Sequence, residues 1–191
     1  MNKLLLFFLL VFLPILGFSQ GESPATQSVY VELGGAGLPY SFNYDFRFDK
    51  TKVDSWGMRI GAGGYSLSRG TSFFSIPVQL SKLYGKNGHY FEAGGGLTFV
   101  AFNNNREPYC ISGTYDPNTG VYTCNQYSSP GEVYDFILEI EGSPNVMGTL
   151  NFGYRRMPVD GGFIWRANLS PIFNGNGFWP LWVGVGIGYA F

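Results

Sequence analysis

Glu32, Asp45 and Glu92, together with Arg47, Arg59, Arg155 and Arg166, are the side chains with the most chemistry in this chain. Each lies in a run that alternates between large apolar residues and small or polar ones. Each falls in the polar half of that alternation. Residues two apart in an extended strand share a face, so a closed sheet would gather all seven inside. Buried charges must pair and hydrogen-bond, because an unpaired one is costly. Two roles are open to such a set. One is a structural plug of ion pairs that fixes strand register. The other is a narrow ion or small-solute path, in which arginines exchange carboxylate partners and their excess favours anions.

Other constellations carry less. The single histidine, His89, follows Gly88 at a turn. No serine beside it has an acid partner, as a nucleophile–base pair would need. Asp135 and Glu139 have the spacing of one helical face, but acids in a loop are usually just solvated. Cys110 and Cys124, the only cysteines, match no zinc spacing. They enclose a segment with turn residues at 116–120 and read as a disulfide-closed hairpin. Closing a loop of about 15 residues contributes roughly 3 kcal/mol, mostly by restricting the unfolded chain. The expectation is a non-enzymatic protein with no cofactor and no metal. The connection at about 103–145 also carries Tyr109, Tyr115, Tyr122 and Tyr127 beside Asn103, Asn104 and Asn105. Rigid tyrosine with adaptable asparagine and serine suits a contact surface for an extracellular ligand. Exposed outer loops are also polar without any fixed partner.

The elements that position these residues are strands. At 181–191, Leu181, Val183, Val185, Ile187, Tyr189 and Phe191 oppose Trp182, Gly184, Gly186, Gly188 and Ala190. A period of two is the strand period. The polarity is unusual: one face is large and apolar, and the other nearly lacks side chains. A strand with lipid on one side and a tight barrel lumen on the other has this pattern. The same two-face reading applies to 29–34, 40–48, 56–62, 73–81, 91–101, 148–155 and 163–173. That predicts eight strands and an all-β fold, an eight-stranded antiparallel up-and-down transmembrane β-barrel. Eleven residues rising about 3.3 Å each, tilted by about 40°, give a height of roughly 28 Å, close to the apolar band of about 25 Å in such barrels. A soluble lipocalin-like barrel would turn the apolar face inward and leave the glycines of the last strand facing water.

The short turns at 49–52, 85–87 and 158–161 follow strands two, four and six. With both termini in the periplasm they belong on the periplasmic side, and the long connection then lies outside the cell. Within that connection, Val133–Glu141 alternates weakly and could extend the wall. The expected aromatic girdles are Tyr154, Tyr189, Phe191 and Trp56 on the periplasmic side, with Trp179, Phe173 and Tyr40 outside.

Composition and the N-terminus agree with this location. Met1-Asn2-Lys3 precedes an apolar run of about fifteen residues, Leu4 to Phe18, with Gly17 and Ser19 placed for a cut before Gln20. That reads as a signal peptide over 1–19, the run being short of the roughly twenty residues of a spanning helix. Residues 20–191 form one domain. Only 13% of residues are charged, aromatics make up 18%, and net charge is −1 without a basic run. Nucleic acid is therefore not an expected partner.

Several segments resemble small outer-membrane β-barrel proteins of Bacteroidota: Ile76-Pro77-Val78-Gln79-Leu80, Tyr90-Phe91-Glu92-Ala93-Gly94-Gly95-Gly96, Asn151-Phe152-Gly153-Tyr154-Arg155 and Asp160-Gly161-Gly162-Phe163. The terminal Ile187-Gly188-Tyr189-Ala190-Phe191 looks like the signal read by the barrel-assembly machinery, with Tyr189 and Phe191 as its aromatic residues. The resemblance covers strands three to eight and leaves most of the long connection unmatched. It implies the fold, a place in the bacterial outer membrane, contact with membrane lipid and lipopolysaccharide, and the assembly machinery as a partner during biogenesis. The family is largely without established activity, so it supplies no catalytic residue. A monomer is expected.

Overall fold

The structure, a computed structural model, describes residues 24–66, 71–103, 110–127, 133–135 and 139–191. The expected signal peptide and Tyr109 lie outside these residues. So do the side chains of Tyr127, Asp135 and Glu139, of which only the backbone is described.

Alternation becomes wall. The barrel strands are β1 (Gln27–Gly34), β2 (Tyr40–Arg47), β3 (Trp56–Ser66), β4 (Ser72–Lys86) and β5 (His89–Asn103). After the long connection come β10 (Asn145–Arg156), β11 (Gly162–Leu169) and β14 (Val183–Ala190). The connection itself holds β6 (Cys110–Asp116), β7 (Val121–Tyr127), β8 (Val133–Asp135) and β9 (Glu139–Glu141), and β12 (Ile172–Asn174) and β13 (Gly177–Trp179) lie between β11 and β14. Each barrel strand pairs antiparallel with the next, β5 with β10, and β14 with both β11 and β1. The ring closes on eight strands with no free edge, the topology expected from alternation.

The two faces separate cleanly. Val183, Val185, Ile187 and Tyr189 of β14 are exposed, whereas Gly184, Gly186 and Ala190 are buried. The exposed apolar residues continue around the wall through Leu33, Phe42, Ile60, Phe74, Leu97 and Phe152. An interior of ionised and polar side chains inside an apolar exterior is the reverse of a water-soluble barrel.

Particular residues shape the wall. Asn87 and Gly88 have φ of 55° and 81°, the paired left-handed conformations of a two-residue hairpin turn. Pro77 has no amide hydrogen, and the pairing of β4 with β3 lapses there, between Val78 and Ser75, before resuming in the same register. Pro171 interrupts the seventh strand. The Leu150 amide donates to the Pro171 carbonyl at 2.9 Å, and the pairing then passes to β12 and its hairpin partner β13.

Among the described residues, the long connection does not extend the wall. Val133 faces Glu141, and Asp135 faces Glu139, across a small separate hairpin. Those two acids are therefore opposite one another on paired strands rather than on one turn of helix. β6 and β7 form another separate two-stranded sheet.

Both mouths are filled by apolar side chains. At the end holding both termini, Tyr30, Leu83, Tyr90, Ile164 and Ala190 meet Ala25, Val53 and Met157, contributed by the segments between or before strands. At the other end, Leu38, Phe73, Val100, Phe102, Met147 and Ile172 enclose Ile140 of β9, with Tyr65 and Trp182 packed against them. The β1–β2 connection turns into this second mouth. Gly35–Gly37 is a buried single turn of 3-10 helix, and its carbonyls are met from the wall. Trp182 Nε1 donates to Gly35 at 2.7 Å, Thr98 Oγ1 to Ala36 at 2.8 Å and Ser75 Oγ to Gly37 at 2.7 Å. A segment that reads in sequence as an ordinary short connection is an inward-folded lid.

Candidate functional site

All seven charged residues singled out from the sequence lie inside the barrel, none more than 2% exposed. They form one unbroken chain of alternating charge. It begins at Arg47, which pairs with Asp45. Asp45 reaches Arg155 at 3.0 Å, and Arg155 reaches Glu92 at 2.9 Å. Glu92 reaches Arg166 at 3.2 Å, Arg166 lies 3.7 Å from Glu32, and Glu32 meets Arg59 at 3.0 Å. Every carboxylate bridges two arginines.

Small residues make room for this chain. A Cβ on Gly57 would stand 2.4 Å from the Arg47 guanidinium carbon, and one on Gly186 would stand 3.0 Å from Arg166 Cγ. The bare inner faces of β3 and β14 are thus the space that arginine stems occupy.

Neutral partners extend the network, and sequence reading missed their part in it. The Tyr30 hydroxyl accepts from Arg59 at 3.1 Å and also from Arg166. The Arg155 and Arg166 guanidiniums lie 5.8 and 5.1 Å from the Tyr30 ring centre, within range of the ring's negative face. Gln79 accepts from Arg59 and donates to Thr149 at 2.7 Å. Asn151 accepts from Arg166 at 3.0 Å. Alternation places Tyr30, Gln79 and Asn151 indoors, but only strand register shows that they meet these arginines.

This geometry can hold charge but offers little for turnover. Each carboxylate is held by two cations, and a buried apolar cluster lies at each end of the lumen. Among the described residues no group of His, Cys, Asp and Glu could hold a metal ion. His89 is elsewhere, exposed on the outer face. Its Nε2 lies 3.2 Å from Arg156 Nη1, and its Nδ1 lies 2.5 Å from the Tyr154 hydroxyl. A guanidinium can only donate, so the Arg156 contact is a hydrogen bond only where Nε2 is the acceptor.

The second candidate region is the hairpin of β6 and β7. Cys110 and Cys124 are bridged, with Cα atoms 5.7 Å apart. Tyr115 and Tyr122 face each other across the two strands and are 60% and 59% exposed. At the tip, hydrogen bonds from the Asn118 amide and the Thr119 hydroxyl to Asp116 stabilise its carboxylate and lower its pKa. Such side-chain bonds to nearby groups define the turn locally. Tyr115 and Tyr122 thus share a ladder pair, and Tyr127 faces Cys110 through the backbone at the hairpin base. At the chain end, Tyr189 and Phe191 are exposed on the outer face, and Phe191 exchanges two backbone hydrogen bonds with Gln27.

No protein-family profile and no curated protein matches the chain. Among solved structures, it is similar to the N-terminal β-barrel domain of OprF from Pseudomonas aeruginosa. That likeness is 14% in sequence identity with a TM-score of 0.49, over 90% of this chain and 100% of that one. The fold assignment rests on the closed strand pairing.

Proposed function

We propose that this chain is an integral outer-membrane β-barrel without enzymatic activity, sealed through its lumen, that carries its disulfide-closed hairpin on the cell surface. The observation that supports this reading is the stacking inside the barrel. An alternating ion-pair chain lies between two apolar layers, so an ion crossing the lumen would have to pass both. Charges held in this way fix register and fill space, and a conducting path needs water-lined continuity instead.

The exterior favours a membrane location, since a continuous apolar surface of this extent on a monomer calls for a non-aqueous neighbour. The expected export signal and the terminal Tyr189 and Phe191 give a route to the outer membrane through the assembly machinery. The small Bacteroidota barrels remain the family this reading favours. Membrane lipid and lipopolysaccharide are then its surroundings, and the hairpin is the part available to an extracellular ligand.

An epitope inserted between Asn118 and Thr119, at the hairpin tip, tests the display. Antibody should bind intact cells as strongly as permeabilised ones. Deleting residues 109–128 should abolish any surface adhesion the protein confers and leave the barrel's heat-dependent gel shift unchanged. An epitope reached only after permeabilisation would contradict the reading, and so would adhesion that survives the deletion.

A further inference from the structure

The outward face of the barrel wall is nearly free of charge, and its exceptions are gathered in one place. Among the described strand residues of the wall, the outward positions hold four basic side chains and no carboxylate. They are Lys82 and Lys86 of β4, His89 of β5 and Arg156 of β10, on three adjacent strands at the end that holds both termini. Lys86 faces His89, and His89 faces Arg156. The three residues therefore stand in a row on adjacent strands, their backbones one strand spacing of about 4.8 Å apart along the rim. Lys82 starts deeper, but its ammonium lies 5.3 Å from the centre of the Tyr84 ring, two residues nearer the rim. Its stem runs along apolar surface while its head approaches the basic row. No ion pair joins any of the four to a carboxylate among the described residues.

The next row toward the middle of the wall is aromatic. Tyr84 faces Phe91, and Phe91 faces Tyr154. Tyr154 packs on Trp165 with ring centres 4.9 Å apart. The next outward row is Lys82, Ala93 and Phe152, and Leu80, Gly95 and Leu150 follow it. Passing from the rim inward, the surface is cationic, then aromatic, then apolar. Among the described residues Lys82 is the one charged outward side chain below the aromatic row, and its ammonium is turned to the Tyr84 ring.

We infer that this rim binds the headgroup phosphate of an anionic phospholipid in the membrane leaflet at the termini end. The inference rests on the membrane reading given above. Lys86, Arg156 and the ammonium of Lys82 supply charge-assisted donors to phosphate oxygens. The aromatic row lies at headgroup depth, where amphipathic rings settle, and the apolar surface beyond it accepts the acyl chains. A free phosphate would use the cations and ignore the apolar continuation, so the graded surface selects a lipid.

The test uses the full mature chain refolded into vesicles of phosphatidylethanolamine with a minority of phosphatidylglycerol, then released gently for native mass spectrometry. Phosphatidylglycerol should be enriched several-fold among retained lipids over its share of the vesicle. Lys86→Gln with Arg156→Gln should return the ratio to the bulk value. The turn substitutions Lys50→Gln with Lys52→Gln, which remove the same charge, should leave the enrichment in place. If the double variant lacks the heat-dependent gel shift, Lys86→Gln alone, at an exposed strand end, takes its place and should reduce the enrichment. Bulk ratios in the unaltered protein would overturn the inference. So would enrichment that survives loss of the rim cations, or enrichment lost when inorganic phosphate is added. A chain that does not enter vesicles at all would instead refute the membrane reading.

Discussion

Glu92→Ala should lower the unfolding midpoint of the barrel far more than truncation of a lipid-facing leucine such as Leu97. Glu92 accepts from Arg155 Nε at 2.9 Å and from Arg166 Nη2 at 3.2 Å. It joins the two halves of the charged chain, and both arginines are buried. Removing one partner of a buried pair leaves an uncompensated charge, which typically costs about 3–5 kcal/mol. Here one deletion weakens two pairs. Leu97 is half exposed on the outer face, where lipid tails replace the lost contact with a surface equally apolar. Arg59→Ala should rank between them, because it sits at the end of the chain and frees only Glu32, which keeps Arg166 nearby. Urea titrations in lipid vesicles would measure all three. Equal midpoints would mean that the charged chain does not hold the barrel together.

Leu97→Arg should be costly for a different reason. Leu97 lies near the middle of β5, facing Val78 on one side and Gly148 on the other. An arginine at the midplane of a barrel's lipid face costs about 2–4 kcal/mol, falling to roughly 0–1 kcal/mol near the interface. The penalty should therefore decline along β5 from Leu97 toward Phe91. The chain already places a basic residue, His89, where that gradient ends. The measurement is the unfolding free energy of each variant in bilayers. An exterior facing water would give the opposite result, with the arginine neutral at every position along the strand.

Much of this architecture is legible in the sequence because its cause is local. A period of two assigns each side chain to a face. The glycines opposite Val183, Val185 and Ile187 show which face is crowded. Alternation alone places Glu32, Asp45, Arg47, Arg59, Glu92, Arg155 and Arg166 indoors. It gives no height within the barrel, so the order in which the charges meet follows only from register. Arg155 and Asp45 lie 110 residues apart and still hydrogen-bond. Tyr30, Gln79 and Asn151 are overlooked for the same reason.

The lid at Gly35–Leu38 is hidden because its partners, Ser75, Thr98 and Trp182, come from three different strands or connections. The weak alternation of Val133–Glu141 misleads in another way. A short alternating segment can pair with itself as readily as with the wall, and here it folds back as β8 and β9. The basic rim is invisible as a run of charge, since Lys86 and Arg156 become neighbours of His89 only after β10 returns to pair with β5.

The most direct test of the proposed seal is planar-bilayer conductance of the refolded mature chain, with its fold verified by the heat shift of its gel band. A charged chain closed between two apolar layers predicts a barrel that inserts and stays silent, with no unit steps at any salt concentration. Reproducible, salt-dependent steps that Arg59→Ala or Glu92→Ala alters would contradict it and make the lumen a pore.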